Sequence, residues 1–379
     1  MSGICGLFNL DGAPNSDEEI RAMTSWLEQR GPERTGTWSD GPVSLGHTLL
    51  ATTPELQWER QPFRDIETGC VVTADVRLDY RHELLNALGI STSDIQIGDA
   101  ELILRAYLRW GQRCVDWLVG DFAFAIWDPR ERILFCARDH FGLRPLYYFS
   151  DPAKRFVFAS DPRAILVLPQ VPYEISLGRV ADFLVPELEW IDYTSTFFEG
   201  IYRLPPGHTL VVTPDKFAVQ EYWKPHPGPD PGPMTDDDYR QGFVEVLTAA
   251  VDARLRAPEG SVGSMLSGGM DSGSVVAIAK DLLHDRGEGP FPTYSAVRPK
   301  GVDCSESRAI YASSQMPFLS PTLIHPDDLR ERYQSFISGY EEPFDSEMTF
   351  LRAIYQWAHA AGRRVVFDGV GGDLLLTEG

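Results

Sequence analysis

The sequence predicts two domains of different class in series. A strand-rich α+β domain covers residues 1–223, and an α/β domain with a doubly wound parallel sheet covers 236–379, joined by a linker at 224–235. Three observations carry this. Every second residue from Pro225 to Pro233 is proline, with Gly228 and Gly232 between them, so the stretch can form neither helix nor sheet and reads as a semi-rigid spacer. After it, short apolar runs alternate with helical patterns at the spacing of βαβ units, which implies a parallel sheet with ligands at the carboxyl ends of its strands. Before it, strand-like runs bounded by turn pairs dominate.

Composition narrows the class. A chain of 379 residues exceeds one ordinary domain, and 43% hydrophobic with 23% charged residues suffices for a full core. The formal net charge of −21 disfavours generic nucleic-acid binding, which wants a basic footprint. No apolar run approaches the ~20 residues needed to span a bilayer, and the start lacks a signal-peptide pattern, so no membrane partner is expected. Five cysteines (Cys5, Cys70, Cys114, Cys136, Cys304) without a C-x-x-C argue against a disulfide framework or a zinc site and fit a reducing cytoplasm.

In order along the chain, Ser2-Gly3-Ile4-Cys5-Gly6-Leu7-Phe8-Asn9-Leu10 reads as a strand ended by the turn pair Asp11-Gly12. Residues 18–27 read as an amphipathic helix. Gly120-Asp121-Phe122-Ala123-Phe124-Ala125-Ile126-Trp127-Asp128 alternates as a strand, and Thr209-Leu210-Val211-Val212 gives another before the linker. Beyond the linker, 236–256 reads as a helix with Phe243, Val246, Leu247, Ala250, Val251 and Leu255 on one face, an acidic first turn and a basic end. Val262, Met265 and Leu266 mark a strand, and a helix follows from Ser272 to Leu283. Residues 292–297 and 364–367 read as strands, and 305–313, 326–339 and 351–361 as helices.

The junction Ser267-Gly268-Gly269-Met270-Asp271-Ser272 organises this second domain. Adjacent glycines between a strand and a helix let backbone N–H groups crowd around an anion, and the helix N-terminus adds its partial positive charge. There is no Lys as in a Walker A loop. The stretch resembles the loop of the ATP pyrophosphatases, which cleave ATP between the α and β phosphates. That resemblance implies that Ser267, Gly268, Gly269 and Ser272 hold the pyrophosphate and that Asp271 ligates Mg²⁺. Asp368-Gly369-Val370-Gly371-Gly372-Asp373 is similar in place to the SG[DE]G[GS]DE loop of asparagine synthetase. It implies that Gly371 and Gly372 face the pyrophosphate, with Asp373 the second Mg²⁺ ligand. Glu342-Pro343-Phe344-Asp345 resembles the EPF-x-D stretch beside the nucleotide; an acidic surface turn capping a helix is an equal alternative for Glu342. Asp368, Val370 and Leu374 depart from the family pattern, and the valine argues against aspartate as substrate.

The first domain resembles the class II glutamine amidotransferase domain of the same family. Arg30-Gly31-Pro32-Glu33 is similar to its RGPD, and Leu45-Gly46-His47, Gln61-Pro62-Phe63 and Gly98-Asp99-Ala100-Glu101 fall in the expected order. The run ARDHFGLRPLYY matches its ARD-x-x-G-x-RPLYY, and Phe158-Ala159-Ser160-Asp161 completes the set. The resemblance implies an N-terminal-nucleophile fold, αββα, whose Cys after the removed Met uses its own amine as base. Ser2 stands at that position. The glutamine-holding arginine aligns with Leu49, and an Asn-Gly-Glu motif becomes Thr73-Ala74-Asp75, leaving Asp75 and Asp99 as remnants of an amine site. Cys5 lies three positions along the strand from Ser2, so it is expected on the opposite face as a small buried hydrophobe. A Ser nucleophile at a processed terminus is the alternative; the expectation is a glutaminase fold without glutaminase activity.

Loss of the Cys is, by this resemblance, typical of family branches that adenylate a carboxylate and let an amine of the substrate close a ring. The expected function is therefore ATP- and Mg²⁺-dependent amide ligation of a small-molecule or peptide carboxylate, closer to the lasso-peptide macrolactam cyclases than to the β-lactam synthetases. Asparagine synthesis with ammonia, and a non-catalytic fragment or scaffold, are the alternatives. By the resemblance, relatives continue past Gly379 with an acceptor wall and a lysine, so the expectation is either a fragment or a partner, a homodimer or another chain, that completes the C-terminal part.

Overall fold

The computed structural model describes residues 1–91, 96–152, 154–189, 191–228, 232–299, 301–302, 304–330 and 348–372. The chain divides into two compact units, Met1–Gly228 and Pro229–Gly379.

The first unit is built on two six-stranded antiparallel sheets. One takes β1 (Gly3–Asn9), β2 (Arg34–Asp40), β3 (Val43–Leu49), β8 (Tyr147–Asp151), β9 (Arg155–Ala159) and β10 (Ile201–Arg203), in the order β10-β8-β9-β1-β3-β2. The other takes β4 (Phe63–Arg64), β5 (Val71–Leu78), β6 (Gly120–Asp128), β7 (Ile133–Arg138), β11 (His208–Thr213) and β12 (Lys216–Glu221), in the order β12-β11-β7-β6-β5-β4. The period of two sorts the side chains into layers. Ile4 and Phe8 of β1 join Val71, Ala123, Ala125 and Trp127 between the sheets. Cys5 and Leu7 point the other way, onto Ile20 and Met23 of α1 (Asp17–Trp26). Val72, Ala74 and Val76 likewise turn outward, onto Leu102, Ile103 and Ala106 of α3 (Asp99–Trp110), with α2 (Arg81–Leu88) beside it. The result is the αββα sandwich that the resemblance implied.

Among its described residues the second unit has four parallel strands, β13 (Val262–Met265), β14 (Phe291–Ala296), β15 (Leu319–Ile324) and β16 (Val365–Phe367), in the order β15-β14-β13-β16. From β13 the chain winds outward through β14 and β15, then returns to place β16 on the other side of β13. The order reverses there, which makes the carboxyl ends of β13 and β16 the switch point of an open α/β sheet. The helices around it, numbered after three short ones in the first unit (Pro162–Leu166, Leu177–Leu184, Pro186–Glu189), are α7 (Asp236–Arg254), α8 (Met270–Asp285), α9 (Ser305–Ser313), α10 (Pro326–Arg330) and α11 (Met348–Ala360).

Two details differ from the sequence reading. Helix α8 starts at Met270 rather than Ser272, so Asp271 and Ser272 belong to its first turn. Helix α7 starts at a capping box of Thr235 and Asp238, but its apolar stripe is only partly covered. Val251 and Leu255 are buried against α8, whereas Phe243 is 50% and Val246 71% exposed. An amphipathic pattern reports that a face is apolar, not that the unit reaches along its whole length. All five cysteines are free, and no helix among the described residues is long and apolar enough to cross a membrane.

Candidate functional site

The two strands at the switch point each end in a glycine loop, and the loops meet. After β13, Gly268 takes φ +81°, and a Cβ there would come within 2.9 Å of Ile310 N and Ala309 Cβ on α9. Only glycine satisfies both the left-handed backbone and that approach. The hydroxyls of Ser267 and Ser272 lie 2.8 Å apart, Ser267 N donates to Ser272 Oγ at 3.1 Å, and Gly269 N donates to Ser267 Oγ at 3.3 Å. These bonds curl the loop over the start of α8. Gly269 is its N-cap and supplies no side-chain acceptor, so the first-turn N–H groups keep their donors for a ligand.

The second loop follows β16. A Cβ on Gly369 would lie 2.6 Å from Ser272 N, and one on Gly372 would lie 2.5 Å from Asp271 Cγ. Gly371 takes φ +90°. Glycine at these positions lets the loop press on the Asp271 carboxylate. The structure thus brings together Ser267, Gly268, Gly269, Asp271, Ser272 and Gly372, with Gly371 one residue away. Asp373 and the stretch Glu342-Pro343-Phe344-Asp345 lie outside the described residues. Beside the first loop opens a cavity of about 890 Å³, walled by Leu266, Gly268, Val297, Ile310, Leu351 and Ile354. Among the described residues no three His, Cys, Asp or Glu side chains gather as a protein-only metal cage. A Mg²⁺ held by one or two carboxylates and substrate phosphates needs no such cage.

The N-terminal cluster is arranged differently. Ser2 is buried at the inter-sheet end of β1; its Oγ accepts from Leu50 N at 3.1 Å, and its carbonyl accepts from Arg30 Nε at 3.3 Å. The Met1 amine lies among Asp75, Arg30, Arg144 and Glu33, and burial lowers its pKa to about 6. Met1 as a residue is nonetheless 45% exposed, because its side chain points out while its amine points in. Asp75 faces two guanidiniums, Arg30 Nη2 at 3.9 Å and Arg144 Nε at 3.8 Å, and Arg144 also faces Asp121 at 3.9 Å. Arg30 Nη2, Arg144 Nε and Asp75 Oδ2 are buried without a hydrogen bond. These contacts are ion pairs with a gap, not closed hydrogen bonds.

The two amine-site remnants are not brought together. Asp75 points between the sheets, the side opposite its neighbour Ala74 on β5. Asp99 opens α3 on the outer side, paired with Arg81 and accepting from Leu78 N at 2.9 Å. Leu49, where the resemblance places a glutamine-holding arginine, packs with Ala51 and Leu56. His47 does not replace that cation, since burial lowers its pKa to about 4. Cys5 is fully buried, and burial raises its thiol to about 12, against a weaker opposing bond with Thr24; it is no thiolate at neutral pH. Sequence reasoning quoted Arg30 and Arg144 only as motif letters. Their service to Asp75 is tertiary and left no local signal. Glu59 was missed outright: burial raises it to about 7, although its Oε1 accepts from Gln61 Nε2 at 2.9 Å and from Ala100 N at 3.2 Å.

The sequence matches two family models in series, a glutamine amidotransferase domain over residues 1–223 and asparagine synthase over 242–377. An asparagine synthetase [glutamine-hydrolyzing] of Bacillus subtilis is 29% identical over 72% of this chain and 44% of its own length. An amidase of Gibberella zeae is 27% identical over 94% of this chain and 54% of its own, and an amidase of Penicillium rubens is 26% identical over 98% and 58%. The chain therefore spans about half the length of these relatives. With these two matches together covering most of its length, the chain belongs to the asparagine synthetase family, a glutamine amidotransferase domain followed by an asparagine synthase domain.

Proposed function

We propose that this chain provides the nucleotide site of an ATP-dependent amide-bond-forming ligase. In that reaction a substrate carboxylate attacks the α-phosphate of ATP, pyrophosphate leaves, and an amine then displaces AMP. The meeting of two glycine loops on Asp271 at the switch point supports the reading. Backbone N–H groups of 267–272 and the start of α8 would take the pyrophosphate, with the base in the adjoining cavity. Asp271 and Asp373 would hold Mg²⁺, which supplies positive charge where the departing pyrophosphate gains negative charge. The protein's own work is positioning and charge stabilisation, with no protein nucleophile required.

The amine is proposed to come from the substrate itself, as in a lasso-peptide macrolactam cyclase. Ser2, Leu49 and the ion-paired Asp75 support this, because together they leave the first domain without a glutamine-processing set. Synthesis of asparagine from aspartate and ammonia is the second reading, favoured by the name of the Bacillus relative. Pyrophosphate release tests both. Release with a peptide precursor and none with aspartate plus ammonia supports ring closure, and the reverse supports asparagine synthesis. Failure to bind Mg·ATP removes both readings in favour of a scaffold.

A further inference from the structure

The second glycine loop lacks side chains of its own to fix it. Between Asp368 and Gly372 every residue but Val370 is glycine, and Val370 is 64% exposed. Its anchor is Asp368, the residue at the end of β16 that departs from the family's serine. Asp368 Oδ2 accepts from the Tyr355 hydroxyl at 2.6 Å, and its Oδ1 accepts from Val370 N at 3.1 Å. One carboxylate therefore ties the loop backbone to helix α11. Tyr355 is half-buried, and burial raises its pKa, so the hydroxyl remains a donor across the physiological range. On the same helix, Leu351 and Ile354 wall the cavity beside the first loop.

We infer that Tyr355 and Asp368 form a positioning pair that sets the second glycine loop against Asp271, making the phosphate side of the site depend on the helix that walls the cavity. The inference rests on the nucleotide reading above. It distinguishes the two ends of the ligand: a loop that drifts from Asp271 loses the pyrophosphate and the metal, while the cavity that takes the base keeps its walls.

Calorimetric titration of the whole chain with Mg·ATP and, separately, with adenosine tests it. Tyr355→Phe, which removes only the hydroxyl, and Asp368→Ala are expected to weaken Mg·ATP about tenfold, equivalent to ~1.4 kcal/mol, and to leave adenosine within about twofold. Asp368→Asn, which keeps an acceptor for the hydroxyl, is expected to fall between wild type and Asp368→Ala. Equal weakening of both ligands would reduce the pair to a support of the unit as a whole and overturn the inference, as would no weakening of either. Wild-type chain that binds neither ligand removes the nucleotide reading and this inference with it, a result distinct from wild-type binding that the variants fail to alter.

Discussion

The end of β1 and the end of β13 are both places where a strand delivers polar groups to a crevice, and they treat those groups in opposite ways. At β1 the charges answer one another. Arg30 and Arg144 flank Asp75, and Leu49, where the resemblance places a glutamine-holding arginine, packs on Ala51 and Leu56 instead. At β13 side chains are withheld. Glycines at 268 and 369 bring backbone to backbone, Gly372 brings backbone onto the Asp271 carboxylate, and the uncapped start of α8 keeps its donors. A charged residue in the first site faces an opposite charge across a gap too wide for a hydrogen bond, whereas the helix start in the second has no side-chain cap. What each polar group faces tells more about a site than how many polar residues gather there.

The largest expected effect tests the second site. Gly369→Ala places a methyl 2.6 Å from Ser272 N and 2.9 Å from Asp271 Cβ, atoms of the helix start that cannot yield like a flexible side chain. Displacement of the loop by about an ångström should lower pyrophosphate release about 100-fold, with the melting midpoint of the chain recorded alongside. Release close to wild type would detach the second loop from the chemistry. Asp271→Asn should raise the Mg²⁺ concentration for half-maximal release by at least the roughly tenfold that even a residue supporting a metal ligand is worth. An unchanged Mg²⁺ dependence would remove Asp271 as a ligand.

The first site offers smaller effects. Glu59 is raised from an ordinary 4.5 to about 7 by burial, so the folded state holds its proton more tightly than the unfolded chain does. Its contribution is fully present below about pH 4.5 and is lost as the pH rises through 7. Glu59→Gln should therefore remove a fall in stability between about pH 4.5 and 7, a difference on the order of 3 kcal/mol above pH 7 that closes below pH 4.5. Parallel pH profiles of unfolding for the two proteins would count against a buried carboxyl that retains its proton. Smallest of all, Ser2→Ala should change pyrophosphate release by less than about twofold, since removal of a side chain outside the reacting site has little to act on. Glutamine hydrolysis by wild type that Ser2→Ala abolishes would overturn the comparison at its root.

What was legible in the sequence follows from the range of the signals. Gly268-Gly269 between an apolar run and a 3.6-residue pattern announced the β13–α8 junction, and α9 was read over the same residues that the structure shows. The parallel sheet required only that strands and helices alternate; its order, with β16 beside β13, left no local signal. Pairings between distant residues were not legible. Nothing near Tyr355 foretells its bond to Asp368, nothing near Arg30 foretells Asp75, and the exposed half of α7 looks in sequence like the covered half. The backbone period records which face is apolar, and only the assembled fold decides what meets it.

The register that unites the two loops also sets when they can exist. Ser264 Oγ donates to the carbonyl of Phe367 across 103 positions of chain, and β13 pairs with β16 from Val262↔Val365 onward. A growing polypeptide that has made all of the first loop still has no cradle until β16 arrives to take its place. Closure of a segment that long adds an entropic cost that grows only slowly with length, about 0.6 kcal/mol per doubling. The cost is modest, but it comes before any contact between the loops is made. A ligand that spans both strand ends acts as the clasp of that closure: it binds the assembled edge and not the open chain, and so stabilises the second unit by mass action.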